Sequence, residues 1–98
     1  MNRTELKATS EAFIRETLRK HLHANVPVYL FGSRARNTAS WNSDYDLWID
    51  ADLPNALIAD IQDELDESFV PFRVDIVTTP KLRGKFGEIV KSEAKQWM

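Results

Sequence analysis

The chain has 98 residues, 43% of them hydrophobic, which suffices for one compact domain with a single core but leaves no room for a second substrate-binding domain. Its formal net charge of -2 excludes a whole-molecule attraction to nucleic acid or to an anionic membrane, so any phosphate binding must come from local structure. The absence of cysteine excludes disulfides, thiolate metal sites and cysteine nucleophiles. No apolar run resembles a secretion signal or a membrane span. We therefore expect a single cytoplasmic domain over residues 1–98.

The first predicted elements are a helix and a short strand. Apolar residues recur at helical spacing and predict a helix that ends at about His23, with Thr9 or Ser10 as its cap. Residues 28–31 form an apolar run of β-branched and aromatic residues, stopped by Gly32, and predict a buried strand.

The remaining elements follow a polar stretch at 34–43, which has room for a short helical segment. Residues 46–50 alternate between apolar and polar and predict a second strand, and the amphipathic segment 54–68 predicts a helix. Residues 72–77 alternate again, and a last helix is expected after Thr79. The predicted order is αβ(α)βαβα.

Three carboxylates fall on strand faces that point away from the apolar core. Asp44 and Asp46 share one face of the second strand because side chains alternate along a strand, and Asp75 takes the outer face of the third. Carboxylates placed close together repel one another and raise their own pKa values, unless divalent cations supply compensating charge. Oxygen ligands suit Mg²⁺ or Mn²⁺, with water and phosphates completing the coordination. The pattern predicts a metal site at these three acids.

Gly32 and Ser33 predict a phosphate site beside the acids. A glycine directly after a buried strand lets the backbone approach a ligand closely, and free N–H groups at a following turn attract phosphate, with the Ser33 hydroxyl as a further donor. A single ligand can touch both this motif and the acids only if the end of the first strand lies beside the start of the second. The first two strands must therefore run antiparallel, which makes the sheet mixed. Neither GxGxxG nor GxxxxGK[ST] is present, which disfavours dinucleotide and P-loop sites.

Together, the segments 30–36 (LFGSRAR), 43–47 (SDYDL) and 74–76 (VDI) resemble the minimal nucleotidyltransferases of the DNA polymerase beta superfamily. The shared pattern is a GS motif, then DxD, then a third Asp, in this order and spacing. Asn37 stands where many relatives have glycine, and Trp48 replaces a smaller aliphatic residue. The resemblance implies the nucleotidyltransferase fold, an α/β (α+β) domain with a small mixed sheet and helices packed on one face.

The resemblance also implies roles for the motif residues. Asp44 and Asp46 would bridge two Mg²⁺ (or Mn²⁺) ions. Asp75 would ligate the catalytic ion and help deprotonate the attacking hydroxyl. Gly32 and Ser33 would hold the β- and γ-phosphates of a nucleoside triphosphate, with ATP as the expected substrate.

Several other residues have two open interpretations. Arg34 and Arg36 could bind the triphosphate, but exposed arginines beside acids also form simple surface pairs. Trp41 could stack on a base, although packing is the favoured explanation. His21 and His23 lie two apart on a helix and point to different faces, so a shared metal site is not expected.

The reaction implied by the resemblance is transfer of AMP from ATP to a hydroxyl on a protein acceptor. Relatives with aminoglycoside or polynucleotide acceptors carry extra domains, so we expect another protein or subunit to complete the acceptor site. Stand-alone domains of this kind pair with a small helical HEPN protein in toxin-antitoxin systems, where the transferase is the antitoxin and AMPylates the toxin. No membrane association and no direct nucleic-acid binding are expected.

Two alternatives belong to other functional classes. One is a non-catalytic, nucleotide-binding antitoxin that neutralises its partner by direct binding. The other is a small-molecule nucleotidyltransferase that acts as a homodimer. The complete Asp triad favours an enzyme, since a pure binding module does not require three acids in register. The nucleotide base, the acceptor and homo-oligomerisation are left open.

Overall fold

A computed structural model describes residues 1–98. The elements in chain order are α1 (Arg3–His21), β1 (Val28–Phe31), β2 (Tyr45–Ile49), α2 (Asn55–Asp66), β3 (Val74–Thr78), a 3₁₀ turn (Thr79–Lys81), α3 (Gly84–Glu93) and β4 (Lys95–Gln96). The main elements follow the predicted order, and β4 is an additional strand. None of the helices is long and apolar enough to cross a membrane.

The four strands form one mixed sheet in the order β3-β2-β1-β4. β1 is antiparallel to both β2 and β4, whereas β2 and β3 are parallel. The parallel pair is joined by a crossover that contains α2, as parallel strands require. The predicted antiparallel pairing of the first two strands and the mixed α/β class are therefore confirmed.

One face of the sheet carries the hydrophobic core. α1 and α2 cover this face with four fully or almost fully buried side chains, Ile14, Leu18, Ile61 and Leu65. They pack against alternate strand residues that include Leu47. Each such burial stabilises the fold by about 1.5–3 kcal/mol, which is why the alternate, polar residues are left on the opposite face.

The opposite face carries the acids and is only partly covered. Tyr29 and Trp48 stack on it with ring centroids 4.7 Å apart, and Phe86 of α3 packs edge-on against Phe31 at 6.4 Å. The prediction that the helices pack on one face of the sheet is therefore correct for α1 and α2. It is wrong for α3, which contacts the acid-bearing face. The physical reason is that α3 is amphipathic and finds apolar rings there to cover.

The start of the first helix differs from expectation. α1 is capped by Asn2, whose side chain accepts from the Glu5 N–H at 2.8 Å and donates back to the Glu5 carboxylate at 2.7 Å. This cap satisfies the Glu5 N–H in the first turn, so the helix starts well before Thr9 and Ser10. Ser10 is instead fully buried within α1.

The short helical segment allowed between β1 and β2 is only a turn. The Gly32 carbonyl accepts from the N–H groups of Ala35 and Arg36, each at 3.1 Å, which closes one turn of helix. Asn37 then adopts a φ of 59°, in the left-handed region, and no helix continues. Asparagine tolerates this conformation better than most residues, which explains its presence where relatives have glycine.

Candidate active site

Two of the three predicted acids lie side by side on neighbouring strands. Asp46 of β2 pairs in register with Asp75 of the parallel strand β3. Neighbouring strands are about 4.8 Å apart, and paired residues send their side chains to the same face. Asp44 precedes β2 by one residue and, by the two-residue alternation, belongs to the same face as Asp46. The sheet therefore brings the three acids together.

The glycine of the GS motif lies directly beside one of these acids. Phe31, the last residue of β1, is paired with Asp46, and Gly32 follows it. A Cβ atom added to Gly32 would lie only 2.3 Å from the Asp46 Oδ2 atom, and the glycine φ is +74°. Any side chain at this position would therefore collide with the carboxylate. The GS motif and the acids form one site.

The turn after Gly32 uses its first two carbonyls for its own hydrogen bonds. The Gly32 carbonyl is used inside the turn, and the Ser33 carbonyl accepts from the N–H and the hydroxyl of Thr38 at 3.0 and 3.4 Å. Ala35 is buried, which anchors the turn against the domain. The carbonyls are thus used inside the turn, and the Gly32 N–H at its start donates to a carboxylate oxygen of Glu93 at 3.1 Å, a contact that a phosphate oxygen could replace.

The acids influence one another electrostatically. Burial raises the pKa of Asp46 above its ordinary value of 3.8, and the nearby charges of Asp75 and Asp44 raise it further. Arg36 opposes this shift, whereas Glu93 adds to it. A carboxylate held among like charges disfavours its ionised form, so a bound cation at this point is electrostatically favoured.

The structure does not bring Arg34 to the acids. Its guanidinium donates to the backbone carbonyls of Ser43 and Trp41 at 2.7–3.0 Å and lies 4.0 Å above the ring of Tyr45 on the core side of the sheet. This arginine ties down the loop that leads into β2. Its assignment to nucleotide binding stays a prediction, and these contacts favour a structural role.

Arg36, in contrast, lies at the site. Its guanidinium pairs with the Glu93 carboxylate, whose second oxygen accepts from the Gly32 N–H at 3.1 Å. Sequence reasoning missed Glu93, which comes from the last turn of α3. The one local signal was a carboxylate at a helix C-terminus, where the helix dipole disfavours negative charge.

The aromatic and histidine residues have packing contacts in this structure. Trp48 is 9% exposed, stacks on Tyr29 and donates from Nε1 to the Thr79 hydroxyl at 3.0 Å. Trp41 packs edge-on against Phe72. His21 lies 2.8 Å from a Glu64 carboxylate oxygen. None of these contacts involves Asp44, Asp46 or Asp75.

A sequence model of the family described as "Nucleotidyltransferase domain" matches residues 11–97, which is most of the chain and includes every motif described above. The chain belongs to this nucleotidyltransferase family.

Solved structures agree with this assignment. The domain is 29% identical to a chain in the crystal structure of a toxin-antitoxin with AMP-PNP, with a TM-score of 0.70, covering 89% of this chain and 72% of that one. It is 30% identical to a candidate minimal nucleotidyltransferase, with a TM-score of 0.66, covering 97% and 95%. A complex of a tri-AMPylated Shewanella oneidensis HEPN toxin with an MNT antitoxin matches at 24% identity, TM-score 0.65, covering 92% and 71%, and supports the fold. A comparison with curated proteins finds no match.

The nucleotidyltransferase family implies a divalent metal, and the donor set of this domain fits one. Asp44, Asp46 and Asp75 provide only oxygen donors on one face, the chemistry that Mg²⁺ and Mn²⁺ require. As placed, no group of three or more side chains is arranged to hold an ion, and Asp75 instead receives a hydrogen bond from Arg73 at 3.0 Å. Both of these side chains are substantially exposed, so this surface pair holds Asp75 only weakly.

Proposed function

We propose that this nucleotidyltransferase domain uses Mg²⁺ to transfer AMP from ATP to a hydroxyl on a protein acceptor, and that it acts as the antitoxin of a pair whose toxin is a HEPN-type protein. The observation that carries the enzymatic part is the contact between Gly32 and Asp46. It joins a phosphate-binding turn and a carboxylate pair into one site, as a metal-dependent phosphoryl transfer needs.

The proposed reaction is an in-line displacement at the α-phosphorus. The acceptor oxygen bonds to the α-phosphorus, the bond from this phosphorus to the α,β-bridging oxygen breaks, and pyrophosphate leaves. Asp75 helps to take the proton of the attacking hydroxyl. Asp44, Asp46 and Asp75 would hold Mg²⁺, which would supply positive charge for the phosphate oxygens.

The phosphate-binding part of the proposal rests on backbone geometry. Gly32 and Ser33 hold the β- and γ-phosphates through the N–H groups at the start of the turn and the Ser33 hydroxyl. A phosphate can approach the turn beside the Asp46 carboxylate only because residue 32 is a glycine. A Cβ atom at this position would fill the space next to the carboxylate.

The partner part of the proposal rests on the relatives. The toxin-antitoxin structure at 29% identity contains AMP-PNP, an ATP analogue, which supports ATP as the nucleotide. A solved complex of a tri-AMPylated HEPN toxin with an MNT antitoxin, which shares the fold, supports a protein acceptor. The HEPN class of the partner and AMP as the transferred group follow from the family resemblance.

The test combines the protein, Mg²⁺, the product of the neighbouring gene, and ATP labelled at the α-phosphate. We expect label on the partner protein, none without Mg²⁺, and at least a hundredfold less with Asp46→Ala, because loss of an electrostatic contact to the transition state costs about 3 kcal/mol or more. Asp52→Ala, an exposed acid outside the site, is the matched control and should transfer normally.

Three outcomes separate the alternatives. Substantial labelling by Asp46→Ala contradicts the assignment of the acids. Neutralisation of the partner without label, unchanged in Asp75→Ala, favours the non-catalytic antitoxin. Labelled small-molecule product formed without any protein partner favours the homodimeric small-molecule enzyme.

A further inference from the structure

Glu93 occupies donors that the nucleotide would use. One oxygen of its carboxylate accepts from the Gly32 N–H at 3.1 Å, and the other pairs with the Arg36 guanidinium. Its side chain is 18% exposed, far less than the 50% of Arg36. The carboxylate is thus placed against the phosphate-binding turn rather than in solvent.

The position of Glu93 is determined by the sheet. Glu93 is the last residue of α3, and β4 begins two residues later, where Lys95 pairs with Leu30 of β1. Leu30 is itself two residues before Gly32. The strand pairing therefore holds the end of α3 beside the end of β1 and directs Glu93 to the turn.

This placement is electrostatically costly. Glu93 lies at the negative end of the α3 dipole, where a carboxylate is disfavoured. It is also close enough to Asp46 to act on it as a like charge. Its compensating contacts are the Gly32 N–H and Arg36, and a triphosphate that approached the turn would compete for both because it is also an anion with several acceptor oxygens.

We propose that Glu93 is a positioning residue that sets nucleotide affinity: it holds the Gly32 N–H and Arg36 in the nucleotide-free domain, and the triphosphate displaces it and takes over both donors. This inference rests on the proposed function. It gives Arg36 a phosphate-binding role that becomes available only when the pair with Glu93 opens. It also links nucleotide binding to α3, since Glu93 must move when the site fills.

Calorimetric titration with Mg²⁺ and an ATP analogue that has a non-cleavable α,β bridge tests this without any acceptor. Glu93→Ala removes the competing anion, and we expect the dissociation constant to fall about tenfold, the effect of one hydrogen bond to a charged group. Glu93→Gln keeps an acceptor for Gly32 but loses the charge for Arg36, and should give an intermediate value. Glu88→Ala, an exposed acid on the same helix, is the control and should bind like the wild type.

A second titration series tests the release of Arg36. Arg36→Ala should weaken binding several-fold more in the Glu93→Ala background than in the wild type, because in the wild type the variant also removes the Arg36–Glu93 pair that the nucleotide has to break. A purely structural role of Glu93 would not produce this coupling.

The outcomes distinguish this inference from the proposed function. If the wild type binds the analogue and Glu93→Ala and Glu93→Gln bind it equally well or more weakly, competition by Glu93 is refuted while the nucleotide site stands. If no variant, the wild type included, binds the analogue, the proposed function fails and the inference fails with it. Thermal melting of each variant shows that the compared proteins are folded.

Discussion

Gly32 illustrates how one residue can carry both a backbone and a packing requirement. Its φ of +74° is a conformation that side chains disfavour, and the space where a Cβ would lie is taken by the Asp46 carboxylate. A non-glycine residue held at this positive φ would destabilise the fold by about 1–2 kcal/mol. The added Cβ would also push Asp46 away from the site, and this second effect falls on activity rather than on stability.

Gly32→Ala is therefore expected to lower the thermal midpoint by several degrees and to reduce AMP transfer at least tenfold. Gly84→Ala is the matched control, since Gly84 also has a positive φ of +59° but nothing lies within 4 Å of its added Cβ. The control should lose a similar amount of stability while keeping its activity. Thermal melts and the labelling assay measure both effects, and equal activity in the two variants would contradict the steric role of Gly32.

The ionised Asp46 carboxylate is expected to lower the stability of the fold while being required for activity. Its raised pKa means that the ionised form is disfavoured in the fold, mainly by burial, so folding stability falls as the pH rises from 3.8 through the folded pKa. At pH 7 in EDTA, Asp46→Asn should melt a few degrees higher than the wild type while being inactive. Mg²⁺ should raise the midpoint of the wild type more than that of the variant. A lower midpoint for Asp46→Asn in EDTA would count against repulsion within the acid cluster.

At the scale of elements, α1 and α2 are joined outside the core by a polar cluster. Glu64 of α2 accepts from Lys20 at 2.6 Å and lies 2.8 Å from His21, both at the end of α1. The hydrogen bond from Lys20 is the largest cause that lowers the pKa of Glu64 below its ordinary value of 4.5, and that of His21 adds to it. The Lys20 cation also suits the C-terminal end of the α1 dipole.

The pH dependence of this cluster has a defined sign. Because the folded pKa of Glu64 is lowered, its stabilising contribution is present above pH 4.5 and disappears as the pH falls through the folded pKa. Glu64→Gln should lower the melting midpoint by a few degrees at pH 6, and the difference should vanish once the pH has fallen below the folded pKa of Glu64. Asp60→Asn, an exposed acid of the same helix, serves as the control. A difference that persists in acid would show that packing, not charge, links the helices there.

At the scale of the whole molecule, ligand binding and folding are coupled. The proposed site draws on β1, β2 and β3, on the turn after β1 and, through Glu93, on α3. No single element contains the site, so an unfolded chain has no affinity for nucleotide. Binding to the folded state alone stabilises it by mass action.

Mg²⁺ with the non-cleavable ATP analogue should therefore raise the melting midpoint of the wild type. At a hundred times the dissociation constant, the added stability is about 2.7 kcal/mol, which corresponds to about 10 °C or more for a domain of this size. The analogue in EDTA should give a much smaller shift. Equal shifts with and without Mg²⁺ would argue against metal-dependent binding.

The sequence alone determined the order of the main elements and the three motifs, because both rest on local rules, and the resemblance carried by these motifs implied the fold class. Two-residue alternation placed Asp44, Asp46 and Asp75 on the outer strand faces, and a glycine after a buried strand marked the turn. The antiparallel pairing of β1 and β2 followed from requiring one ligand to reach both motifs.

Only the tertiary structure decided which polar groups meet across long stretches of chain. Glu93 contacts Gly32 from 61 residues away, and β4 adds an edge strand of two residues that no periodicity could predict. Arg34 and Arg36, two residues apart in one motif, separate to opposite sides of the sheet, one holding the loop before β2 and the other facing Glu93. The physical reason is that a side chain's partner depends on how elements pack, whereas its strand or turn depends on its neighbours in sequence.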